Sequence, residues 1–406
     1  LEQVLKERPD LYDLVWLARP NIGFKYVGMV RKLCPTSKVI FDMADLHSLR
    51  ERRRAELLGD ASLLRMSEGT RAQELHVARL SDLTIAISER EKALMLREDS
   101  TLSIEVLPNI HEVCPRSKSF RRRNDLLFLG GFEHVPNVDS LLFLLDKIFG
   151  RVRNRLPGVN LIVIGSDMPE HIRNLKRDGV KILGYVKEVK PYFDSCRVFV
   201  APIRFGAGIK GKIGLSMALG LPVVTTSLGA EGMGLEHGKN VLISDNPSEF
   251  ADQVAALYTD EQLWRRVSRN AQKHIRLLYD PKVVESKLLR IVGQLLDVRR
   301  ESSLETPGST KVRQRLDALQ EELAETRREL ADAQLELVAI QGGVIYKTMR
   351  FFASHIDATF PEGTRRGEFR KLVATSLRVI CNEGWRSYRR QALEKIRKKE
   401  FYVRSP

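Results

Sequence analysis

A cluster of glycines and basic residues lies between two apolar runs in the middle of the chain. Arg204 follows the apolar run 198–203 (VFVAPI), and the next stretch alternates small and basic residues. That stretch contains Gly206, Gly208, Lys210, Gly211 and Lys212. Glycine lets the backbone turn its N–H groups toward a ligand, and the N-terminus of a following helix adds partial positive charge. The pattern predicts a loop that binds the diphosphate of a sugar nucleotide.

A second glycine turn follows the next apolar run, 222–226, and contains Gly229, Glu231 and Gly232. A carboxylate there could accept a hydrogen bond from a ribose or sugar hydroxyl. Alternatively, Glu231 could stand at a helix start and complement its dipole. The lysines could likewise be solvated surface residues and the glycines plain turn residues, so the prediction depends on their clustering.

An acid and an imidazole follow an earlier apolar run, 38–42. Asp45 and His47 lie in the segment FDMADLHSLRERR, together with Arg50. At the end of a buried strand, Asp45 and His47 could orient or deprotonate an acceptor hydroxyl, and Arg50 could hold an anionic acceptor. The alternative is that His47 only caps the helix that follows.

The elements that must position these residues are short apolar strands alternating with helices. Helices are predicted over 50–81, over 89–97 with Ser88 as N-cap, and over 261–298. A basic linker is predicted at 115–123. The alternation predicts two α/β domains with mostly parallel sheets, whose ligands lie beyond the carboxyl ends of the strands. The predicted strands are 13–18, 38–42, 83–87, 104–107, 126–129, 161–164, 180–183, 198–201, 222–226 and 241–243.

Composition and length bound the rest of the chain. The 406 residues suggest about two to three domains, and a chain that begins at Leu1 is expected to lack its N-terminal part. The four cysteines form no C-x-x-C pair, so neither a zinc site nor a disulfide framework is predicted. The sequence has no apolar run of roughly 18 residues, and a cytoplasmic location is expected.

The C-terminal part has a different character. After Pro307-Gly308, a leucine heptad over 310–341 predicts a coiled coil that makes homo-oligomers; the alternative is an amphipathic helix lying on its own domain. Residues 346–406 hold 15 Lys and Arg against 6 Asp and Glu, within a net charge of +15 for the whole chain. This basic helical tail predicts peripheral contact with the anionic inner face of a membrane. No nucleic-acid module is found.

Several segments together resemble the GT-B glycosyltransferases of the family-4-like kind, also called group 1. They are IAISERE (85–91), LPNIHE (107–112), LFLGGFEHVPNVDSL (127–141), LIVIGSDMP (161–169), the stretch 180–203, and the two glycine loops. The resemblance implies a partial acceptor-side Rossmann-like domain over 1–114 and a donor-binding Rossmann-like domain over 124–297. It implies that the donor contacts are Gly130, Gly131, His134, Gly165, Gly184, Tyr185, Arg204, Gly206, Gly208, Lys210, Lys212, Gly229, Glu231 and Gly232.

The chain departs from the family pattern at two places. Many members have two glutamates in the first glycine loop and its helix, the later of which holds the donor ribose; here those positions are Ala207 and Leu215. Where members have an Arg…Lys pair after the first strand of the donor domain, this chain has Gly131 and Asn137. The phosphate charge is then left to Arg204, Lys210, Lys212 and the helix ends.

The resemblance implies transfer of a hexose from a UDP- or GDP-sugar to a hydroxyl of a glycan or lipid-linked acceptor. The setting expected is bacterial cell-surface polysaccharide or glycolipid synthesis. No D-x-D pair follows a strand, so the transfer is expected to be metal-independent, and the fold implies retention of configuration. The alternatives are a degenerate, non-catalytic scaffold that assembles through the coiled coil, and an epimerase of the same architecture. The base, sugar and acceptor are left open.

Overall fold

The computed structural model describes residues 2–7, 11–115 and 118–301. The predicted coiled coil and basic tail lie outside the described residues. Within the part described, strands and helices alternate as predicted, and the strands form two parallel sheets, one of four strands and one of six.

The first domain is built on the four-stranded sheet, with its apolar strands buried. Every strand pairs in parallel with its neighbour in sequence order, beginning with Leu14 opposite Lys38. The elements in chain order are α1 (Glu2–Glu7), β1 (Leu14–Ala18), α2 (Pro20–Leu33), β2 (Lys38–Asp42), α3 (His47–Leu58), α4 (Ala61–Leu80), β3 (Leu83–Ala86), α5 (Glu89–Glu98) and β4 (Ile104–Val106).

The single helix predicted over 50–81 is wrong, because the chain forms the two helices α3 and α4. Gly59 ends α3 in the left-handed region, with φ 67°, which an L side chain adopts only at a cost. Asp60 then caps α4, since its side chain accepts the N–H groups of Ser62 and Leu63. The Gly-Asp pair therefore folds this stretch into a helical hairpin.

The second domain contains the six-stranded sheet. A 3-10 turn, Phe120–Arg122, precedes it, and a π-helical segment, Leu144–Phe149, continues the first helix of the domain. The elements are β5 (Asn124–Leu129), α6 (Val135–Phe143), α7 (Gly150–Arg155), β6 (Leu161–Ile164), α8 (Glu170–Arg173), β7 (Val180–Gly184), α9 (Lys190–Ser195), β8 (Cys196–Ala201), α10 (Gly211–Ala218), β9 (Val223–Thr225), α11 (Ser227–Ala230), β10 (Leu242–Ile243), α12 (Pro247–Thr259), α13 (Glu261–Leu278) and α14 (Pro281–Glu301).

The helix predicted over 261–298 is also two helices. Asp280 accepts the N–H of Lys282, and Pro281 occupies the first position of α14, where its missing N–H costs nothing. The predicted linker is likewise part of the second domain at its end. Arg123 is fully buried there and donates to the carbonyl oxygens of Phe193 and Cys196.

The core of the second domain lies on both faces of its sheet. Leu126 and Phe128 of β5 face one apolar cluster, which α6 and α12 cover. Leu127 between them faces the other cluster, which α10 and α13 cover. Burial on both faces is what a parallel sheet requires, and it explains the unbroken apolar runs of the sequence. None of the helices in the described ranges is long and apolar enough to cross a membrane.

The strand order of the second sheet, β10-β9-β8-β5-β6-β7, indicates where a ligand would bind. From β5 the chain proceeds to β6 and β7 on one side, and it then returns to β8 on the other side of β5. In open parallel sheets, ligands bind in the crevice at such a switch point, outside the carboxyl ends of the strands. Here that crevice lies between the loop after β5 and the loop after β8.

Candidate active site

The crevice at the switch point is bridged by side chains from α6 and α10. Lys212 donates from Nζ to Oδ1 of Asn137 at 2.7 Å, and its ammonium lies 4.9 Å from the centre of the Phe128 ring. Arg204, in the loop after β8, makes a two-pronged contact with the carboxylate of Asp139 on α6. The two helix starts are therefore held together at the point where the topology predicts a ligand.

Neither helix start is capped by a side chain. His134 precedes α6 and Lys210 precedes α10, and neither N-cap residue accepts a backbone N–H with its side chain. The first N–H groups of a helix have no partner within the helix, so an anion at this crevice would satisfy both sets. Both uncapped helix starts face the same crevice, so the arrangement suits a ligand with more than one anionic group.

The two predicted lysines lie in the crevice, partly buried. Lys210 bends back onto its own loop and donates to the carbonyl oxygens of Ala207, at 3.2 Å, and Gly208, at 2.6 Å. Burial lowers the pKa of Lys210 to about 8. Burial, with the charge of Lys210 added, lowers the pKa of Lys212 to about 7. The hydrogen-bond partners of both ammonium groups are neutral oxygens, and a bound diphosphate would bring negative charge next to them.

The glycine loop before α10 packs directly on the first domain. Gly208 has φ 69°, and a Cβ at this position would lie 2.9 Å from Cβ of Asp45. The carbonyl oxygen of Gly206 accepts a hydrogen bond from Arg53 of α3 at 2.7 Å. Gly208 is therefore required both by the left-handed backbone and by the close approach of the two domains.

Glu231 forms an ion pair that neither of the predicted alternatives included. Its carboxylate accepts two hydrogen bonds from Arg53, and Arg90 of α5 adds a contact at 3.2 Å. Glu231 also lies at the C-terminal end of α11, so its prediction as a helix-start carboxylate is wrong. The same turn contacts the first domain again, since a Cβ on Gly232 would lie 3.1 Å from Ser88.

Asp45 is the centre of the predicted acceptor-side group. Its Oδ1 lies 3.0 Å from Nε2 of His47, and its Oδ2 accepts a hydrogen bond from Arg50 at 2.6 Å. Burial acts to raise the pKa of Asp45, but the hydrogen bond with His47 and the charge of Arg50 outweigh it and leave the pKa below its usual range. Asp45 is thus a carboxylate that orients the imidazole.

His47 does not cap its own helix. It is the first residue of α3, and Glu74 of α4 accepts the backbone N–H groups of His47, at 2.7 Å, and Ser48, at 3.4 Å. Burial raises the pKa of Glu74. The imidazole of His47 is therefore left to its contact with Asp45, which is the arrangement that the acceptor-side prediction needs.

Glu91 is a buried residue of the site that the sequence analysis missed. Its side chain is 2% exposed, and its Oε1 accepts the N–H of Leu46 at 3.2 Å and the N–H of Gly208 at 2.8 Å. Burial raises the pKa of Glu91 to about 7. Its sequence signal was only that of an acidic residue in the first turn of a helix capped by Ser88, a cap that the structure confirms.

Other predicted donor residues lie around the crevice at different depths. Gly165 ends β6 so close to β5 that a Cβ would lie 1.8 Å from the carbonyl oxygen of Gly130, so it serves the packing of the two loops. Gly184 and Tyr185 end β7, beyond β6, and the Tyr185 side chain is 64% exposed. His134 is exposed, and Leu215 packs against the apolar cluster beneath α10.

Comparison with known proteins gives the class of the second domain. Residues 123–260 match the family model of the Glycosyl transferases group 1. An uncharacterised 44.6 kDa protein from the cps region of Klebsiella pneumoniae is 27% identical over 175 residues, which are 41% of this chain and 45% of that protein. The chain therefore spans less than half of this relative.

Solved structures give the fold of the whole described region. A mutant of S. aureus TarM, in complex with Fondaparinux, alpha-GlcNAc-glycerol and UDP, superposes with a TM-score of 0.58 at 14% identity, over 73% of this chain and 58% of that one. Sucrose-phosphate synthase from Thermosynechococcus elongatus gives 0.57 at 15% identity, over 71% and 74%. The fold is thus the two-domain GT-B arrangement of glycosyltransferases. The match to the group 1 glycosyl transferases is confined to residues 123–260, about a third of the 406 residues.

Proposed function

We propose that this protein transfers a sugar from a nucleoside diphosphate to an acceptor hydroxyl. The observation that carries the proposal is the bridge between Lys212 and Asn137, which lies at the switch point between two uncapped helix starts. Anions bind at such helix starts, and a diphosphate spans a crevice of this kind. The match of residues 123–260 to the model of the Glycosyl transferases group 1 supports the same reaction class.

The chemistry required of the site is stabilisation of the leaving diphosphate. Negative charge grows on the leaving group as the bond from the sugar breaks, and preorganised cations and N–H groups lower that barrier. Lys212 and the N–H groups at the start of α10 would meet this charge. Arg204 already faces Asp139, so it would contact phosphate only by exchanging that partner. Lys210 would have to turn away from Ala207 and Gly208.

The acceptor side would use the pair formed by Asp45 and His47. If Nε2 of His47 carries the proton shared with Asp45, Nδ1 is left as the base toward an acceptor hydroxyl. Because the pKa of Asp45 is lowered, it stays ionised and holds the imidazole in this orientation. We propose a hexose as the transferred sugar, retention of configuration and no requirement for a metal ion.

The relatives suggest the substrates. The Klebsiella relative is from a cps region, and the TarM structure contains UDP together with Fondaparinux and alpha-GlcNAc-glycerol. We propose a UDP- or GDP-sugar as donor, a glycan or lipid-linked acceptor, and synthesis of a bacterial surface polysaccharide or glycolipid in the cytoplasm.

Oligomerisation through 310–341 and attachment of 346–406 to an anionic membrane stay predictions. Deletion of 346–406 should reduce sedimentation with anionic liposomes, and persistent binding would contradict the tail's role.

A non-catalytic scaffold is the second candidate, and Leu215 favours it. Its apolar side chain occupies the position where family members have the ribose-holding glutamate, and it packs on the core.

A direct test is to incubate the purified full chain with UDP- and GDP-sugars, with and without glycan acceptors, and to measure release of nucleoside diphosphate. The enzyme proposal predicts release that Lys212→Met abolishes, with Lys187→Met, at an exposed lysine, as control. No release with any donor and acceptor favours the scaffold.

A further inference from the structure

Glu91 joins the two domains through a single carboxylate oxygen. Leu46, one of its two N–H partners, directly follows Asp45 in the acceptor-side group of the first domain. Gly208, the other partner, lies in the glycine loop of the second domain, 117 residues away in sequence. The same oxygen therefore fixes the loop that carries Asp45 relative to the loop that carries Lys210.

The position of this carboxylate is costly for folding. Within the described residues, the second oxygen of Glu91, Oε2, is buried without a hydrogen-bond partner. Burying a carboxylate oxygen without a partner costs free energy that an apolar side chain would avoid. Two charged neighbours act on Glu91 in opposite directions: the charge of Asp45 raises its pKa, and the charge of Lys210 lowers it. Packing alone therefore does not explain why a glutamate occupies position 91, since an apolar side chain would fill the space at lower cost.

The glycine loop is held from the first domain at a second point. Arg53 donates to the carbonyl oxygen of Gly206, two residues before the N–H that Glu91 accepts. Glu91 thus accepts a hydrogen bond from an N–H group of the loop, and Arg53 donates one to a carbonyl oxygen of the loop. Together they specify the backbone orientation of the loop immediately before α10, whose first N–H groups face the crevice.

We propose that Glu91 is a positioning residue, which sets the backbone of the glycine loop from the opposite domain so that the diphosphate site forms only when the two domains are in contact. This inference rests on the proposed function in taking the loop as the diphosphate-binding element. It assigns to Glu91 no contact with the substrate. It makes the affinity for a nucleotide depend on a side chain of the acceptor-side domain.

The test compares three variants of the full chain. Glu91→Met has a similar length but no acceptor, whereas Glu91→Gln keeps one oxygen that can accept both N–H groups. Glu89→Met is the matched control, because Glu89 is exposed in the same turn of α5. The measurements are amide hydrogen exchange of peptides covering 204–212 and 43–48, the affinity for UDP and for inorganic pyrophosphate, and the thermal unfolding midpoint.

The expected result is that Glu91→Met speeds exchange in 204–212 by about fivefold or more and weakens binding of both probes by a similar factor. Glu91→Gln and Glu89→Met should stay close to wild type in both measurements. The thermal unfolding midpoint of each variant shows whether it is still folded at the temperature of the exchange and binding experiments. If Glu91→Met exchanges like wild type in 204–212, or if Glu91→Gln loses as much protection as Glu91→Met, the inference is overturned. If the wild type binds neither probe, the proposed function fails, while loop exchange still decides the role of Glu91.

Discussion

Arg53 of the first domain holds Glu231 of the second through two parallel hydrogen bonds, at 3.0 and 2.8 Å. Both side chains are largely buried, at 17% and 12% exposure. Charge-assisted, two-pronged pairs of this kind are the strong members of their class. The carboxyl edges of the two sheets are therefore tied together beside the predicted donor site, and Glu231 is occupied before any sugar binds.

This relationship predicts that Arg53→Met destabilises the protein more than a neighbouring change does. Removing one partner leaves a partly buried carboxylate, which costs about 1–3 kcal/mol of unfolding free energy once the remaining contact with Arg90 is allowed for. The control is Arg52→Met, since Arg52 pairs with Glu56 on the exposed surface and should contribute less than about 1 kcal/mol. Urea denaturation of both variants checks this, and equal midpoints would contradict it.

Lys212→Met should make the ligand-free protein more stable around neutral pH. Burial lowers the pKa of Lys212 from 10.5 to about 7, so between these values the unfolded chain binds more protons than the folded one. Wild-type stability therefore rises with pH through this window. The advantage of the methionine variant is at most about 4 kcal/mol near pH 7 and should fall to about 1 kcal/mol or less at pH 10. Urea denaturation across this range, with Lys187→Met as control, measures it. A pH-independent difference would show that the lysine is solvated.

Tyr185→Ala should weaken binding of UDP but not of inorganic pyrophosphate, which has no nucleobase. Tyr185 directly follows β7, which lies beyond β6 in the sheet, and its ring is exposed. A nucleobase could stack on this ring while the phosphates of the same nucleotide occupy the crevice. Stacking on an aromatic ring contributes about 1–3 kcal/mol per base, so UDP affinity should fall about tenfold. Affinity for inorganic pyrophosphate should be unchanged, which calorimetry can determine. Equal losses for both ligands would place Tyr185 outside a base site.

Two glycine-to-alanine changes within helices should act in opposite directions. In α10, a Cβ on Gly214 would lie 2.2 Å from Nε2 of His111, so Gly214→Ala should destabilise the protein by about 1–3 kcal/mol through overpacking. In α4, no atom lies within 4 Å of a Cβ on Gly69, so Gly69→Ala should stabilise it by about 0.5–1 kcal/mol. Thermal unfolding of the two variants compares them directly, and a stabilised Gly214→Ala would show that His111 can move aside.

The strands could be predicted within about two residues because each contains a short apolar run, and the central strands, such as β6 and β8, are buried on both faces. The helix breaks at Gly59 and at Asp280 were missed, although a Gly-Asp pair and an Asp-Pro pair mark them. The glycine loop and both lysines were found because local spacing carries that signal. Tertiary pairing was out of reach: Glu91 meets Gly208 across 117 residues, and Arg53 meets Glu231 across 178.

The local sequence pattern also does not predict the contacts of two glutamates, Glu231 and Glu74. Glu231 has the sequence context of a free carboxylate near a glycine turn, yet its fate depends on Arg53 and Arg90 of the other domain. Glu74 has the context of an amphipathic helix, yet it caps the neighbouring α3. Packing between elements that are distant in sequence decides both outcomes, and no local spacing in the sequence encodes that packing.

Calorimetric titration of the full chain with a panel of UDP- and GDP-sugars tests the central claim most directly. The account predicts saturable binding of at least one donor, with proton uptake near pH 8 as the diphosphate raises the pKa of Lys212 and Lys210, and loss of that binding in Lys212→Met. Titrations in two buffers of different ionisation enthalpy reveal the proton uptake. No saturable binding of any donor, or binding that Lys212→Met leaves unchanged, would contradict the account.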